Sequence, residues 1–341
     1  MLIKTKYFFI VSLLISLILM AAQCGTQPAA GQPTAQAGEA AAVPLQPELN
    51  LAQLAPVSLA DGEKLRVVAT TSIIGDLVSN VGADLVDLTV LVPLGSDPHT
   101  FRPAPQDAAA IARAHLVFMN GLGLEEFMTE LIDNAGGAAI VVPVSSGLEP
   151  RQLKEDANQT QDHHHQGTDP HLWTSPANAM IMVHNIEQTL SALDPAHASA
   201  YQANAKTYTT KLQDLDQWVK SQIETIPAAN RKLVTDHDDF GYYADRYGLE
   251  LIGAVIPAYS TNAEPSAQEL AQLQDAIKEF GVKAVFVGTT VNPALAQRVA
   301  EDTGIQLVSL YTGSLGKAGS GAETYLDYIR YDTNAIVKAL E

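Results

Sequence analysis

Short β-branched runs alternate with stretches of helical period over most of this chain. Residues 65–70, 88–92, 116–119 and 139–142 read as strands, because Val, Ile and Leu crowd runs too short for a helix. Between them, residues 73–78, 105–114 and 127–134 repeat apolar positions at helical spacing. Residues 176–193 read as one further helix. After Pro195 no Gly or Pro occurs before Pro227, and Tyr201, Ala205, Tyr208, Leu212, Leu215 and Val219 recur on one face. That predicts a single helix of roughly 30 residues, about 45 Å long. A second series follows, with strands at 232–235, 249–255, 284–287 and 306–310 and helices at 240–247, 266–280, 293–303 and 324–340. Ser266 and Glu269 have the spacing of a capping box.

Strands that alternate with helices predict α/β architecture with mostly parallel sheets. The fold expected is two lobes, each a mostly parallel sheet flanked by helices, joined by one long backbone helix. The boundaries are residues 63–194 for the first lobe, 195–227 for the interlobe helix and 228–341 for the second lobe. A length of 341 residues is too great for one ordinary domain and suits such a pair.

Composition narrows the function. Lys and Arg number 20 against 38 Asp and Glu, a formal net charge of −18. No basic patch is present to neutralise phosphates, which argues against a nucleic-acid partner. The single cysteine, Cys24, allows neither an intrachain disulfide nor a cysteine-based zinc site. A metal would have to be held by His, Asp, Glu or water. Lys4 and Lys6 precede an apolar run at residues 7–20, about 14 residues and short for a membrane span. Ala21-Ala22-Gln23-Cys24 then looks like a bacterial lipoprotein cleavage site. Residues 1–24 are read as a lipoprotein signal peptide with Cys24 as the lipid-attachment residue; an ordinary secretory signal or uncleaved anchor is the alternative. Either places the rest of the chain outside the cytoplasm. Residues 25–62, rich in Ala, Gln, Pro and Gly, read as a flexible tether.

The candidate chemistry lies in three histidines. His99 sits in Asp97-Pro98-His99-Thr100-Phe101 and His171 in Asp169-Pro170-His171-Leu172-Trp173, the same Asp-Pro-His-x-aromatic frame twice. Proline fixes φ and pushes the residue before it toward extended geometry, so each frame is a rigid turn that presents one imidazole. One such frame alone would be a helix start with Asp as cap. Two of them, with His237 directly after the run Leu233-Val234-Thr235, point to a metal site. His163, His164 and His165 form an accessory metal-collecting tract in a polar loop. His115, His184 and His197 lie in no motif. Trp173 and Phe101 are expected to wall the site and keep it dry.

Taken together, these frames, with Asn120-Gly121-Leu122-Gly123-Leu124-Glu125, Ser175-Pro176, Phe240-Gly241-Tyr242, Arg246-Tyr247-Gly248 and Glu264-Pro265-Ser266, resemble the cluster A-I substrate-binding proteins of bacterial ABC transporters for zinc and manganese. The resemblance runs over residues 65–341. It implies two α/β lobes on one backbone helix, with the metal between them and His99, His171 and His237 as ligands. It also implies a monomer tethered to the membrane by its lipid anchor and partnered by an ABC permease. Manganese members usually carry a carboxylate where this chain has His237, and a nitrogen-rich site favours zinc. The histidine-rich loop also resembles the zinc group. Two departures bear on the fourth ligand: Gly288 stands where an acid is common after a strand, and Gly313 where an aspartate ligand is common. Water or a mobile carboxylate would then complete the site.

The expectation is a non-enzymatic carrier whose transported ligand is Zn2+, captured by three neutral imidazoles, with a small closure rather than a wide hinge motion between the lobes. Mn2+ or iron is the alternative cargo. A zinc hydrolase with Asp238, Asp239 or Glu264 as base, or a surface adhesin, are the rivals from other classes.

Overall fold

The computed structural model describes residues 54–136, 138–151 and 168–341. The expected signal segment with Cys24, residues 25–53 of the expected tether, and His163, His164 and His165 lie outside the described residues. Two four-stranded sheets carry the fold. The first comprises β1 (Leu65–Ala69), β2 (Val86–Val90), β3 (Leu116–Met119) and β4 (Ile140–Pro143), in the order β2-β1-β3-β4. The second comprises β5 (Lys232–His237), β6 (Glu250–Ile256), β7 (Ala284–Gly288) and β8 (Gln306–Leu310), in the matching order β6-β5-β7-β8. Every pairing is parallel. Parallel neighbours need crossovers, so each sheet gathers its strands' carboxyl ends, and the loops that follow them, along one edge.

Both faces of each sheet are covered, which is why the strands read as near-continuous apolar runs. In β1, Val67 and Ala69 face the main core, and Val68 faces a smaller one beneath α2 (Pro105–Arg113) and α3 (Met128–Ala135). In β7, Ala284 and Phe286 face the main core, and Val285 and Val287 face a cluster beneath α7 (Ala267–Phe280) and α8 (Ala294–Thr303). The main core is continuous through both halves. It includes side chains of α1 (Ser72–Gly82), α4 (Pro176–Leu193), α5 (Ala198–Ile223), α6 (Gly241–Tyr247) and α9 (Tyr325–Leu340).

Helix α5 is the shared spine. It packs on α4 and α1 of the first half and on α9 and α6 of the second. All six residues of its predicted apolar face are buried. It is shorter than the sequence pattern suggests, with 26 residues after a 3-10 turn at Pro195–His197. Asp194 explains the turn: its carboxylate accepts from His197 Nδ1 and from the Tyr201 hydroxyl, both at 2.8 Å, and its carbonyl accepts the His197 amide. The predicted capping box forms, with Ser266 and Glu269 each accepting the other's backbone amide. Residues 54–62 are the described part of the stretch expected to be a tether. Leu54, Val57 and Leu59 pack on the main core, and the Val57 amide donates to Leu193 O at 2.8 Å.

Candidate metal centre

The two Asp-Pro-His frames fold as the same local turn. Asp97 Oδ1 accepts the His99 amide at 2.9 Å, and Asp169 Oδ1 accepts the His171 amide at 3.0 Å. Each aspartate thus holds its own histidine's backbone, a side-chain turn typical of Asp. In the second frame Asp169 Oδ1 also accepts His171 Nδ1–H at 2.9 Å. That bond selects the tautomer and leaves the Nε2 lone pair to bind a metal. His171 Nε2 lies 3.1 Å from His99 Nε2.

His237 completes the group. Strand β5 runs two residues further than predicted, so His237 is its last residue, paired in register with Ile256. Its ring lies 5.1 Å from that of His171 and 5.6 Å from that of His99, centroid to centroid, and the other two are 5.2 Å apart. One ligand atom from each histidine lies within 4.8 Å of the others. His171 and His237 are buried and His99 is partly exposed, at the mouth. The structure therefore brings together all three histidines that the sequence singles out.

Their protonation differs. Burial holds His99 and His171 well below the ordinary imidazole range, and the neighbouring imidazoles push in the same direction. Burial acts downward on His237 too, but Asp239 and Asp236 outweigh it and lift this histidine to about 10. The expectation of three neutral imidazoles therefore holds for two of them in the metal-free protein; His237 keeps its proton against the two carboxylates. Asp236 Oδ1 is 2.5 Å from His237 Nδ1, and Asp239 Oδ2 is 3.8 Å from it.

Arg151 and Asp245 support the site without any sequence signal to single them out, and residues of the quoted motifs surround them. Arg151 pairs with Asp169 at 3.2 Å and with Asp245 at 2.7 Å. Burial pushes the Asp169 carboxyl up to about 7, against the pull of the His171 amide and Arg151. The Tyr242 hydroxyl donates to Asp169 O at 2.7 Å and accepts the Arg151 amide at 2.9 Å. Gly241 makes this possible, since a Cβ there would sit 1.7 Å from Arg151 Nη1 and 2.8 Å from Asp169 Oδ2. The glycine turn at Asn120 wraps Glu125, which accepts from Asn120 and Gly121 amides, and Asn120 Nδ2 donates to Pro170 O at 2.8 Å.

The second half closes over the frames. Thr261 Oγ1 donates to Asp97 Oδ2 at 2.6 Å and Asn262 Nδ2 to His99 O at 3.0 Å. Trp173 Nε1 donates to Thr312 O at 2.9 Å, and its ring meets that of His171 edge-on at 5.2 Å. Trp173 walls the site as expected. Phe101 differs: its ring packs edge-on against Phe127 at 5.0 Å. A Cβ on Gly313 would lie 2.7 Å from Pro98 Cδ, which places residue 313 against the first frame. A Cβ on Gly288 would lie 2.4 Å from Thr312 Oγ1 and 3.2 Å from Asp236 Oδ2, so its space is filled. Of the candidate bases, Asp239 faces His237 Nδ1 and Glu264 is exposed. His184 and His197 lie on the surface at α4 and before α5, and His115 accepts the Arg66 amide at Nδ1.

Residues 67–339 match the family model described as the periplasmic zinc-uptake complex component A. The chain is 34% identical over 281 residues to the manganese-binding lipoprotein MntA of Halalkalibacterium halodurans, covering 82% of this chain and 90% of that protein. A manganese-bound mutant of a periplasmic metal-binding protein from Candidatus Liberibacter asiaticus superposes with a TM-score of 0.73 at 32% identity, covering 82% of this chain and 100% of that one. The periplasmic zinc-binding protein TroA from Treponema pallidum superposes with a TM-score of 0.72 at 27% identity, covering 82% and 99%.

Proposed function

The chain belongs to the periplasmic zinc-uptake component A family of ABC-transporter metal-binding proteins, and we propose that this member captures Zn2+ and hands it to a membrane permease. It is an extracytoplasmic binding protein and not an enzyme. The ligands assigned are Nε2 of His99, His171 and His237. Cys24 is assigned as the lipid anchor, and Cys24→Ser is expected to move the protein out of the membrane fraction.

The observation that carries the zinc reading is the donor set. Three imidazoles converge, and neither Gly288, at the end of β7, nor Gly313, beside Pro98 of the first frame, has a side chain to add a carboxylate. Zn2+ accepts a nitrogen-only shell completed by water, whereas Mn2+ prefers oxygen and lies lower in the affinity order for divalent ions. The manganese reading has its own support in the name of the Halalkalibacterium relative. A competition titration of the purified protein with both ions decides between them. The expected result is Zn2+ preferred by several orders of magnitude, with His99→Ala, His171→Ala and His237→Ala each weakening binding strongly. Equal or preferential Mn2+ binding overturns the assignment of cargo.

A further inference from the structure

Behind His237 lies a pair of carboxylates that the ligand set does not use. Asp236 Oδ1 holds Nδ1 at 2.5 Å, and its other oxygen accepts the Gly288 amide at 2.5 Å. Asp239 is 1% exposed, and neither of its oxygens has a hydrogen-bond partner; its nearest opposite charge is His237 Nδ1 at 3.8 Å. A buried carboxylate without donors is costly unless a cation offsets it. With Nδ1 engaged by Asp236, Nε2 is the nitrogen left to bind metal, so both carboxylates sit on the far side of the ring from the cargo.

Charge counting gives them a purpose. A dication held by neutral imidazoles brings +2 into a buried site, and Arg151, the cation beside Asp169, is shared with Asp245. At Gly313 the loop that approaches the first frame carries no carboxylate, and Pro98 closes the direction a side chain would take. We propose that Asp236 and Asp239 together place, behind the His237 ring, carboxylate charge that offsets the bound dication, with Asp239 the residue that sets affinity. The inner shell then stays all nitrogen, the condition for preferring zinc, while the counter-charge sits behind the His237 ring. The proposal rests on the assignment of His237 as a ligand; the identity of the cargo enters only through the ratio of metals measured below. Asp236 and Asp239 are positioning residues that act through His237.

The test uses the full chain with Asp239→Asn, a change that keeps shape and removes charge. Three quantities are read: Zn2+ and Mn2+ affinities by competition, the ligand-field absorption of the Co2+ form, and the melting temperature of the metal-free protein. Both affinities are expected to fall by about 10- to 100-fold, the range typical of an outer-shell partner. The Zn2+ to Mn2+ ratio and the Co2+ bands are expected to stay as in the wild type, with no loss of metal-free melting temperature. Wild-type affinity overturns the proposal. Altered Co2+ bands make Asp239 a direct ligand and overturn it too, and so does a fall in metal-free melting temperature that tracks the loss of affinity. If the wild type prefers Mn2+, the zinc assignment fails, but a parallel loss of both metals in Asp239→Asn still upholds the charge role. Should Asp239→Asn not fold, Asp236→Asn carries the same expectation, and wild-type affinity in that variant overturns the proposal.

Discussion

A cation that binds an imidazole nitrogen must displace any proton that nitrogen holds. In the metal-free protein His99 and His171 are neutral near neutral pH and leave one ring nitrogen bare, whereas His237 keeps its second proton up to about 10 because Asp239 and Asp236 outweigh its burial. Raising the pH therefore removes a competitor at one ligand only. Zn2+ affinity is expected to rise by roughly tenfold per pH unit between about 6.5 and 9, with about one proton released per ion. Calorimetry in two buffers of different ionisation enthalpy measures that proton, and pH-independent affinity would contradict it. The same proton stabilises the metal-free fold: its contribution is full below the ordinary imidazole range and lost as pH rises through about 10. Gly241 gives a second prediction, since any side chain there collides with the guanidinium that pairs with Asp169. Gly241→Ala is expected to destabilise by about 1–3 kcal/mol and to weaken Zn2+ binding, because the Arg151–Asp169 pair that orients His171 must open. A melting curve and a Zn2+ titration check it, and unchanged values would show that Arg151 moves aside freely. The histidines were legible because each turn is set by two or three adjacent residues. Arg151 was not, because its partners Asp169 and Asp245 come from distant positions and only folding brings them together.

Among elements, the strands and helices were read to within a few residues because their burial is two-sided or one-sided in a regular period. The errors fall where a local hydrogen bond overrides the period. Asp194 gathers His197 and Tyr201 and tightens the start of the long helix into a 3-10 turn. Strand β5 gains Asp236 and His237, polar residues no hydrophobic pattern would add, because β6 still pairs with it at Ile256. Leu54, Val57 and Leu59 escaped notice because three isolated apolar residues in a Pro- and Gln-rich stretch have no period at all. Helix α5 separates packing from binding most cleanly. Leu212 is fully buried on its core face, and none of the site residues belongs to this helix. Leu212→Ala is expected to lower stability by about 2–5 kcal/mol, through lost burial and the cavity left behind. Zn2+ affinity of the folded protein should stay at the wild-type value. Denaturation and titration of the same preparation test both halves of that statement, and a matched loss of affinity would show that the spine sets the geometry of the pocket.

For the molecule as a whole, the question is how a carrier lets go. A wide hinge between the halves is disfavoured, because one hydrophobic core runs through α4, α5, α6 and α9 beneath both sheets. Every 100 Å2 of that core exposed by opening costs about 2.5 kcal/mol. The rim is held much more lightly. Thr261 and Asn262 of the second half reach across to Asp97 and to the His99 carbonyl, and Ser314 meets Ser72 and the Gly95 amide. Hydrogen bonds of this kind contribute about 0.5–1.5 kcal/mol each, small enough for thermal motion to break. His99 is the one ligand at the mouth, and it rides on the segment these bonds hold. Release is therefore expected to begin with His99 swinging out on its frame, while His171 and His237 stay buried in the core. Replacing both bridges, with Thr261→Val and Asn262→Ala together, should speed Zn2+ dissociation by roughly 5- to 150-fold, the factor two such bonds represent. The overall dimensions should barely change with or without metal. Stopped-flow release into a chelator gives the rate, and small-angle scattering of the metal-free and loaded forms gives the dimensions. A wild-type dissociation rate in the double variant, or a large expansion of the metal-free protein, would shift the moving part from the rim to the spine.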